Sequence, residues 1–379
     1  MTSVLFIEGA PAPYRVDFWN EFGRLVDLTV WFQAGQEMGR LWDIEGLGAN
    51  FRYQILPGMR LGEDKYLNPG IGRTLSAQPF DAYIMSLNCS PTEILAARWL
   101  RRRHIPFIFK SDGGFPMRGL ECYTAKRGNP LKELTKRKVF PLASLWMSSG
   151  SNCTRYLRYY GADPSGIMEY PFSVRSPDAN PLRPEEREAR KVTEGLNGTV
   201  VIYPTRLISG KGVDTALEAF RSLQSEPLVL LLIGSGPLGE FCREFILKHG
   251  LTNVVMKPWL QRTELSKYYQ LSDILIFPTL MDTWGLTINE AMAYGLPVVT
   301  TPMAGAAHDL VHDGENGFTV RPNEPGALAE RLRLLAQDSA LRTRLGLRSR
   351  DLIVSYTIPR MAEKFVEAVE KLAGMKAVT

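Results

Sequence analysis

The sequence predicts an α/β protein of two Rossmann-like units in tandem, on three observations. Short apolar runs rich in β-formers alternate with longer amphipathic stretches, the alternation breaks once near mid-chain, and beyond the break it resumes. Alternation of this kind builds a parallel sheet covered by helices on both faces. A length of 379 residues is about twice that of a typical domain.

In the first half, residues 3–7, 27–32, 82–86, 107–110 and 145–148 read as strands, and 14–25, 91–103 and 151–160 as intervening helices. Residues 171–198 are rich in Pro, Arg and Glu and read as an interdomain linker with a charged helix inside. Strands follow at 200–204, 228–233, 254–256, 274–277 and 298–300, with helices at 213–222, 238–249, 262–271, 286–294 and 326–337. Helical spacing of apolar residues over 359–372 marks a last helix that could cross back to the first domain. The expected boundaries are 1–172 for the first domain, 173–198 for the linker and 199–357 for the second domain, with 358–379 packing back on the first.

Hydrophobic content of 45% and charged content of 22% are those of an ordinary globular enzyme and give no sign of disorder. No stretch approaches the ~20 apolar residues of a membrane span. The N-terminus turns acidic at Glu8, too soon for a signal peptide, and reads as a first strand. Cysteines at 89, 122, 153 and 242 show no metal or redox spacing, and are expected as free thiols in a reducing cytoplasm. Histidines stand only at 104, 249, 308 and 312, so no zinc site is expected.

The net charge of +5 is unevenly placed. Residues 1–177 carry 22 Lys+Arg against 16 Asp+Glu, and the rest 23 against 24. Two clusters dominate, Arg101-Arg102-Arg103-His104 and Lys126-Arg127 with Lys132, Lys136, Arg137 and Lys138. A solvated helix face and a patch for anionic lipid headgroups both fit them. Nucleic acid is not expected, because no aromatic platform interleaves the charge.

In open α/β sheets ligands bind beyond the carboxyl ends of the strands, and with two such domains the expected site is the cleft between them. One candidate segment is Asp282-Thr-Trp-Gly285-Leu286-Thr287-Ile-Asn-Glu290, a loop and helix start after a buried strand. Backbone N–H groups at Leu286 and Thr287 would offer a helix N-terminus to a diphosphate. Glu290 could accept hydrogen bonds from a ribose diol, and Asp282 could reach sugar hydroxyls. The competing reading is an Asp that caps the helix and a Glu in its first turn. A second segment brackets a Ser-Gly turn with Arg206 and Lys211, two cations able to neutralise a departing nucleoside diphosphate. Gly234-Ser-Gly236-Pro237 follows a strand and fits either close approach to a ligand or a plain tight turn.

These residues together resemble the retaining family-4 glycosyltransferases of GT-B fold, over nearly the whole chain and most densely from about 200 to 318. That family carries an E-x7-E motif, an R-x4-K pair, a Gly-x-Gly-Pro turn and a later Gly-x-x-Gly. Asp282 and Glu290 keep the first spacing, Arg206 and Lys211 match the pair, Gly234–Gly236 match the turn, and Gly314 and Gly317 the later loop. The resemblance implies two Rossmann-like domains facing across a cleft. It makes Arg206 and Lys211 the diphosphate cations, Glu290 the ribose ligand, Asp282 the donor-sugar contact and the backbone of Gly285–Thr287 the phosphate cradle. Met256 and Pro258 would lie beside the nucleobase. Gly9, Tyr14 and Arg15, after the first strand, would face phosphates and acceptor.

Two departures stand out. The first Glu of the motif is Asp282, one methylene shorter, and where many relatives place a His this chain reads Lys110-Ser111-Asp112-Gly113-Gly114. Asp112 could be a polar contact or proton acceptor for the acceptor hydroxyl, or a turn residue before Gly-Gly. With no D-x-D triplet, no metal or other cofactor is expected. The resemblance thus implies hexosyl transfer from a UDP- or GDP-sugar to a hydroxyl on a glycan or lipid-linked acceptor. The chain would work in the cytoplasm, in cell-surface polysaccharide or glycolipid assembly, with possible peripheral contact at the inner face of the membrane. The alternatives are a non-hydrolysing nucleotide-sugar epimerase, which the sparse histidines disfavour, and a catalytically silent nucleotide-sugar-binding subunit.

Overall fold

The structure is a computed structural model; it describes residues 1–36, 44–62, 65–114, 129–176, 179 and 182–376. Lys126 and Arg127 of the second basic cluster lie outside the described residues. The chain divides into two compact units, one running to Arg175 and resuming at Tyr356, the other spanning Ser176–Ser355.

Unit one holds a seven-stranded parallel sheet. Its strands are β1 (Ser3–Glu8), β2 (Asp27–Phe32), β3 (Arg52–Ile55), β6 (Ala82–Ser86), β7 (Ile108–Ser111), β8 (Leu145–Ser148) and β9 (Ile167–Glu169), while β4 (Met59–Arg60) and β5 (Tyr66–Leu67) form a separate antiparallel pair. The order is β3-β2-β1-β6-β7-β8-β9. The sheet grows one way from β1 and then the other, so β1 and β6 flank the point where the connections diverge. Helix Pro91–Arg102 begins with a capping box between Ser90 and Glu93.

The chain's last helix, Ile358–Lys376, belongs to this unit. Its Phe365 is fully buried and packs on the rings of Phe6, Phe18, Phe22 and Tyr170, at centroid distances of 6.2, 4.7, 5.9 and 5.1 Å. Four aromatic partners make this helix part of the core of the unit.

Unit two holds a six-stranded parallel sheet of β10 (Thr199–Pro204), β11 (Leu228–Ile233), β12 (Val254–Lys257), β13 (Ile274–Phe277), β14 (Val298–Thr300) and β15 (Gly317–Thr319). The order is β12-β11-β10-β13-β14-β15, with the divergence between β10 and β13. Ile202 sits between Leu231 and Leu275 in register, and every residue of β10, β11 and β13 is buried. This is why the strands read as unbroken apolar runs.

The charged helix expected inside a linker is instead anchored in unit two. From helix Pro184–Thr193, Arg187 donates to the carbonyls of Gln270, Leu271 and Ser272, capping the end of the Arg262–Leu271 helix, and pairs with Asp273 at 2.7 Å. Lys191 pairs with the same Asp273 at 2.9 Å. Its exposed charged face gave it the composition of a linker; one face of Arg187 and Lys191 ties it down. Sequence patterning also passed over the short strands β3, β9 and β15, and the helix Ser339–Ile353.

Candidate functional site

The carboxyl edge of the second sheet gathers most of the expected residues. Arg206 and Lys211 lie on the loop between β10 and helix Val213–Arg221. Asp282 lies on the loop between β13 and helix Leu286–Ala293. These loops leave the two strands that flank the divergence point, and they are laced together across it. Leu280 N–H and the Thr279 hydroxyl donate to the Gly210 carbonyl, at 2.8 and 3.1 Å. Lys211 Nζ donates to the Met281 carbonyl at 3.2 Å and to Asp282 Oδ2 at 2.7 Å.

Both partners of that ion pair are largely shielded, with side chains 12% and 23% exposed, so water screens the attraction less than at an open surface. Asp282 Oδ1 accepts from Trp284 N–H at 3.2 Å. Its backbone bridges to the loop after β14, through Asp282 N–H to the Met303 carbonyl and Gly305 N–H to the Asp282 carbonyl. The shorter carboxylate therefore fixes the lysine and its own loop. It does not cap the helix: the capping position is Gly285, and no side chain caps it.

Gly285 has φ +97° and ψ 63°, and a Cβ there would come within 2.9 Å of the Phe277 ring. Only glycine turns the chain so sharply from the loop into the helix at this spacing. Leu286 and Thr287 form the uncapped first turn, whose N–H groups and dipole favour an anion. Trp284 is buried, and its Nε1 donates to Asn289 Oδ1 at 2.8 Å, pinning the loop to the helix.

Glu290, fifth in the helix, is partly exposed. The Tyr269 hydroxyl donates to its Oε2 at 2.8 Å. Burial pushes the carboxyl above its ordinary range, against the opposing effects of that hydrogen bond and the Arg262 charge.

Gly234 and Gly236 owe their identity to packing. A Cβ at 234 would sit 1.8 Å from the Thr205 carbonyl oxygen, and one at 236 would sit 2.4 Å from that of Leu207. The turn thus lies flat against the loop that carries the exposed Arg206, with Leu207 N–H donating to the Ser235 carbonyl. Met256 pairs in register with Leu232, and Pro258 follows the end of β12. Trp259 N–H donates to Ser235 Oγ at 3.1 Å, so the strand end proposed for a nucleobase borders the same turn.

In unit one a second cluster sits at the equivalent edge. Glu8 ends β1, is buried, and accepts from Ser86 Oγ at the end of β6 at 2.7 Å. It also pairs with Arg15 at 2.7 Å and accepts from Gly9 N–H. Arg15 reaches Asp112 at 3.5 Å, and Lys110, itself buried, reaches the same Asp112 at 3.2 Å. Tyr14 packs edge-on against Phe172. Burial works to raise the Asp112 carboxyl, but the Lys110 and Arg15 charges outweigh it and bring it down to about 2. Such a carboxylate holds two cations well.

The structure also brings in residues that motif reasoning missed: Tyr269 beside Glu290, and Glu8, Ser86 and Lys110 beside Arg15 and Asp112. An acidic residue closing the apolar strand at Glu8, and a lysine two residues before Asp112, were the signals available. Nothing in the sequence near Tyr269 marks it.

Residues 184–351 match the family described as glycosyl transferases group 1. D-inositol 3-phosphate glycosyltransferase 2 of Catenulispora acidiphila is 30% identical over 198 residues, covering 48% of this chain and 45% of the relative. The chain thus spans about half the length of that relative. WcaL of Salmonella typhimurium, named as a colanic acid biosynthesis glycosyltransferase, is 26% identical over 83% of this chain and 78% of its own. Among solved structures, Anabaena HepE in complex with UDP superposes with a TM-score of 0.78 at 16% identity, covering 97% of this chain and 100% of that one. Residues 184–351 thus carry the match to the group 1 glycosyltransferases, and the likeness to HepE shows that the chain has the GT-B fold.

Proposed function

We propose that this protein transfers a hexosyl residue from a nucleoside diphosphate sugar to a hydroxyl acceptor with retention of anomeric configuration. The observation that carries the reading is the Lys211–Asp282 pair across the divergence point, beside the uncapped helix that starts at Gly285. In this reading Arg206, Lys211 and the N–H groups of Leu286 and Thr287 stabilise the charge that grows on the departing diphosphate. Glu290 takes the ribose diol, Met256 and Pro258 border the nucleobase, and Asp282 contacts the donor sugar while orienting Lys211. The leaving phosphate helps to deprotonate the acceptor, since Asp112 is a weak base. Gly9 contacts the donor, and Tyr14, Arg15 and Asp112 contact the acceptor. Fixed cations do the neutralising, so no metal or other cofactor is needed.

HepE was solved with UDP, which makes a UDP-sugar the first donor to test and a GDP-sugar the second. The names of WcaL and similar relatives favour a glycan or lipid-linked acceptor in cell-surface polysaccharide or glycolipid assembly. Peripheral membrane contact is supported by helix Pro130–Val139, where Leu131, Lys132, Leu134, Arg137 and Lys138 are exposed together. No described helix is long and apolar enough to cross a membrane.

Incubation with UDP-, GDP- and ADP-sugars, with the product's anomeric signal read by NMR, tests the proposal. Donor cleavage with a retained anomer is expected for one nucleotide. Interconversion of the sugar without an acceptor would point to the epimerase, and no turnover or binding of any donor would sink the reading.

A further inference from the structure

Two residues of one helix converge on Glu290. Arg262 and Tyr269 open and nearly close the helix Arg262–Leu271, seven residues apart and so on one face. Arg262 acts on the Glu290 carboxylate through its charge, and the Tyr269 hydroxyl donates to Oε2 at 2.8 Å. The Tyr269 ring is buried and stacks on Tyr294, with centroids 5.1 Å apart and planes 12° from parallel. Tyr294 lies one helical turn beyond Glu290, so the same turn supplies both the carboxylate and the plate that holds its donor.

A free glutamate side chain must give up rotamer freedom to accept a diol, and fixing it beforehand removes that cost from binding. Resting on the nucleoside diphosphate reading above, we infer that Tyr269 is a positioning residue for donor binding: it holds Oε2 so that the Oε1 edge of Glu290 meets the ribose 2′,3′-diol. The stack on Tyr294 explains why the ring is buried. The hydroxyl aimed at the carboxylate is the part a purely structural aromatic would not need.

Calorimetry on the full chain tests this, with UDP and GDP each compared with its 2′-deoxy counterpart, for wild type, Tyr269→Phe and Glu290→Gln. Phe keeps the ring and its stack, and an unchanged Tm checks that it does. Wild type is expected to prefer the ribonucleotide by ~10-fold, the scale of a hydrogen bond to a charged group. Tyr269→Phe should cut that preference to about 2–3-fold and leave the deoxynucleotide Kd unchanged. Loss of the donated hydrogen bond also makes the carboxylate harder to keep ionised, so the remaining preference should fade at a higher pH than in wild type.

Equal weakening of both nucleotides by Tyr269→Phe would mean a packing role and overturn the inference. A preference lost in Glu290→Gln but intact in Tyr269→Phe would overturn it while sparing the donor reading. If wild type binds neither ribonucleotide, the donor reading falls and the inference with it.

Discussion

Lys211 and Asp282 meet at 2.7 Å across the point where the second sheet reverses its order. The pair joins a cation on one loop to a carboxylate on the next, and both flank an uncapped helix start. If the two act as one device, Lys211→Met and Asp282→Asn should each lower kcat/KM by about 100-fold, the scale of losing one preorganised charge-stabilising group. The double variant should be little worse than the poorer single one. Steady-state kinetics on the cycle checks this; losses that simply multiply would show that the residues work independently.

Glu290 sets an expected pH dependence. Its carboxyl is raised above the ordinary 4.5 by burial, and the diol is accepted by the ionised form. Donor affinity should be full above the raised pKa and fall as pH drops through it, at a higher pH than for an exposed carboxylate. Asp112, held at about 2 by its two cations, contributes no such limb above pH 4. Kd against pH should therefore flatten in Glu290→Gln and keep its shape in Asp112→Asn.

Gly285→Ala should damage both stability and binding. The left-handed backbone costs an L-residue about 1–2 kcal/mol, and the added Cβ would press on the Phe277 ring at 2.9 Å. Tilting the first turn moves the Leu286 and Thr287 N–H groups, so nucleotide affinity should fall beyond what a lowered Tm explains. A variant with wild-type Kd would remove the backbone cradle from the mechanism.

Phe365→Ala should destabilise unit one by about 3–5 kcal/mol, as for a buried aromatic cut to alanine. The side chain is fully buried among Phe6, Phe18, Phe22 and Tyr170. Denaturant melts of the full chain measure it, with nucleotide affinity on the folded fraction expected to be unchanged.

The long strands were legible because a parallel strand buried on both faces leaves an uninterrupted apolar run, as in β10 and β11. Edge strands carry no such mark: β3 is exposed at all four residues, so its composition is that of a loop. The helix Pro184–Thr193 reads as linker for the same reason, and only the distant Asp273 reveals its anchor. At the site, Arg206, Lys211, Asp282 and Glu290 stood out because charges at strand ends and helix starts are few and spaced. Their supports did not. Tyr269 lies 21 residues before Glu290, and Ser86 lies 78 beyond Glu8. Such pairings follow from sheet order, which local pattern does not encode.

Titration of UDP and GDP into the full chain, with EDTA present and repeated on Lys211→Met, tests the central claim most directly. Binding of one nucleotide without added metal, weakened at least tenfold by the substitution, is the expected result on the scale of a charge-assisted contact. Nucleotide binding that needs a divalent cation, or that is indifferent to Lys211, would contradict it.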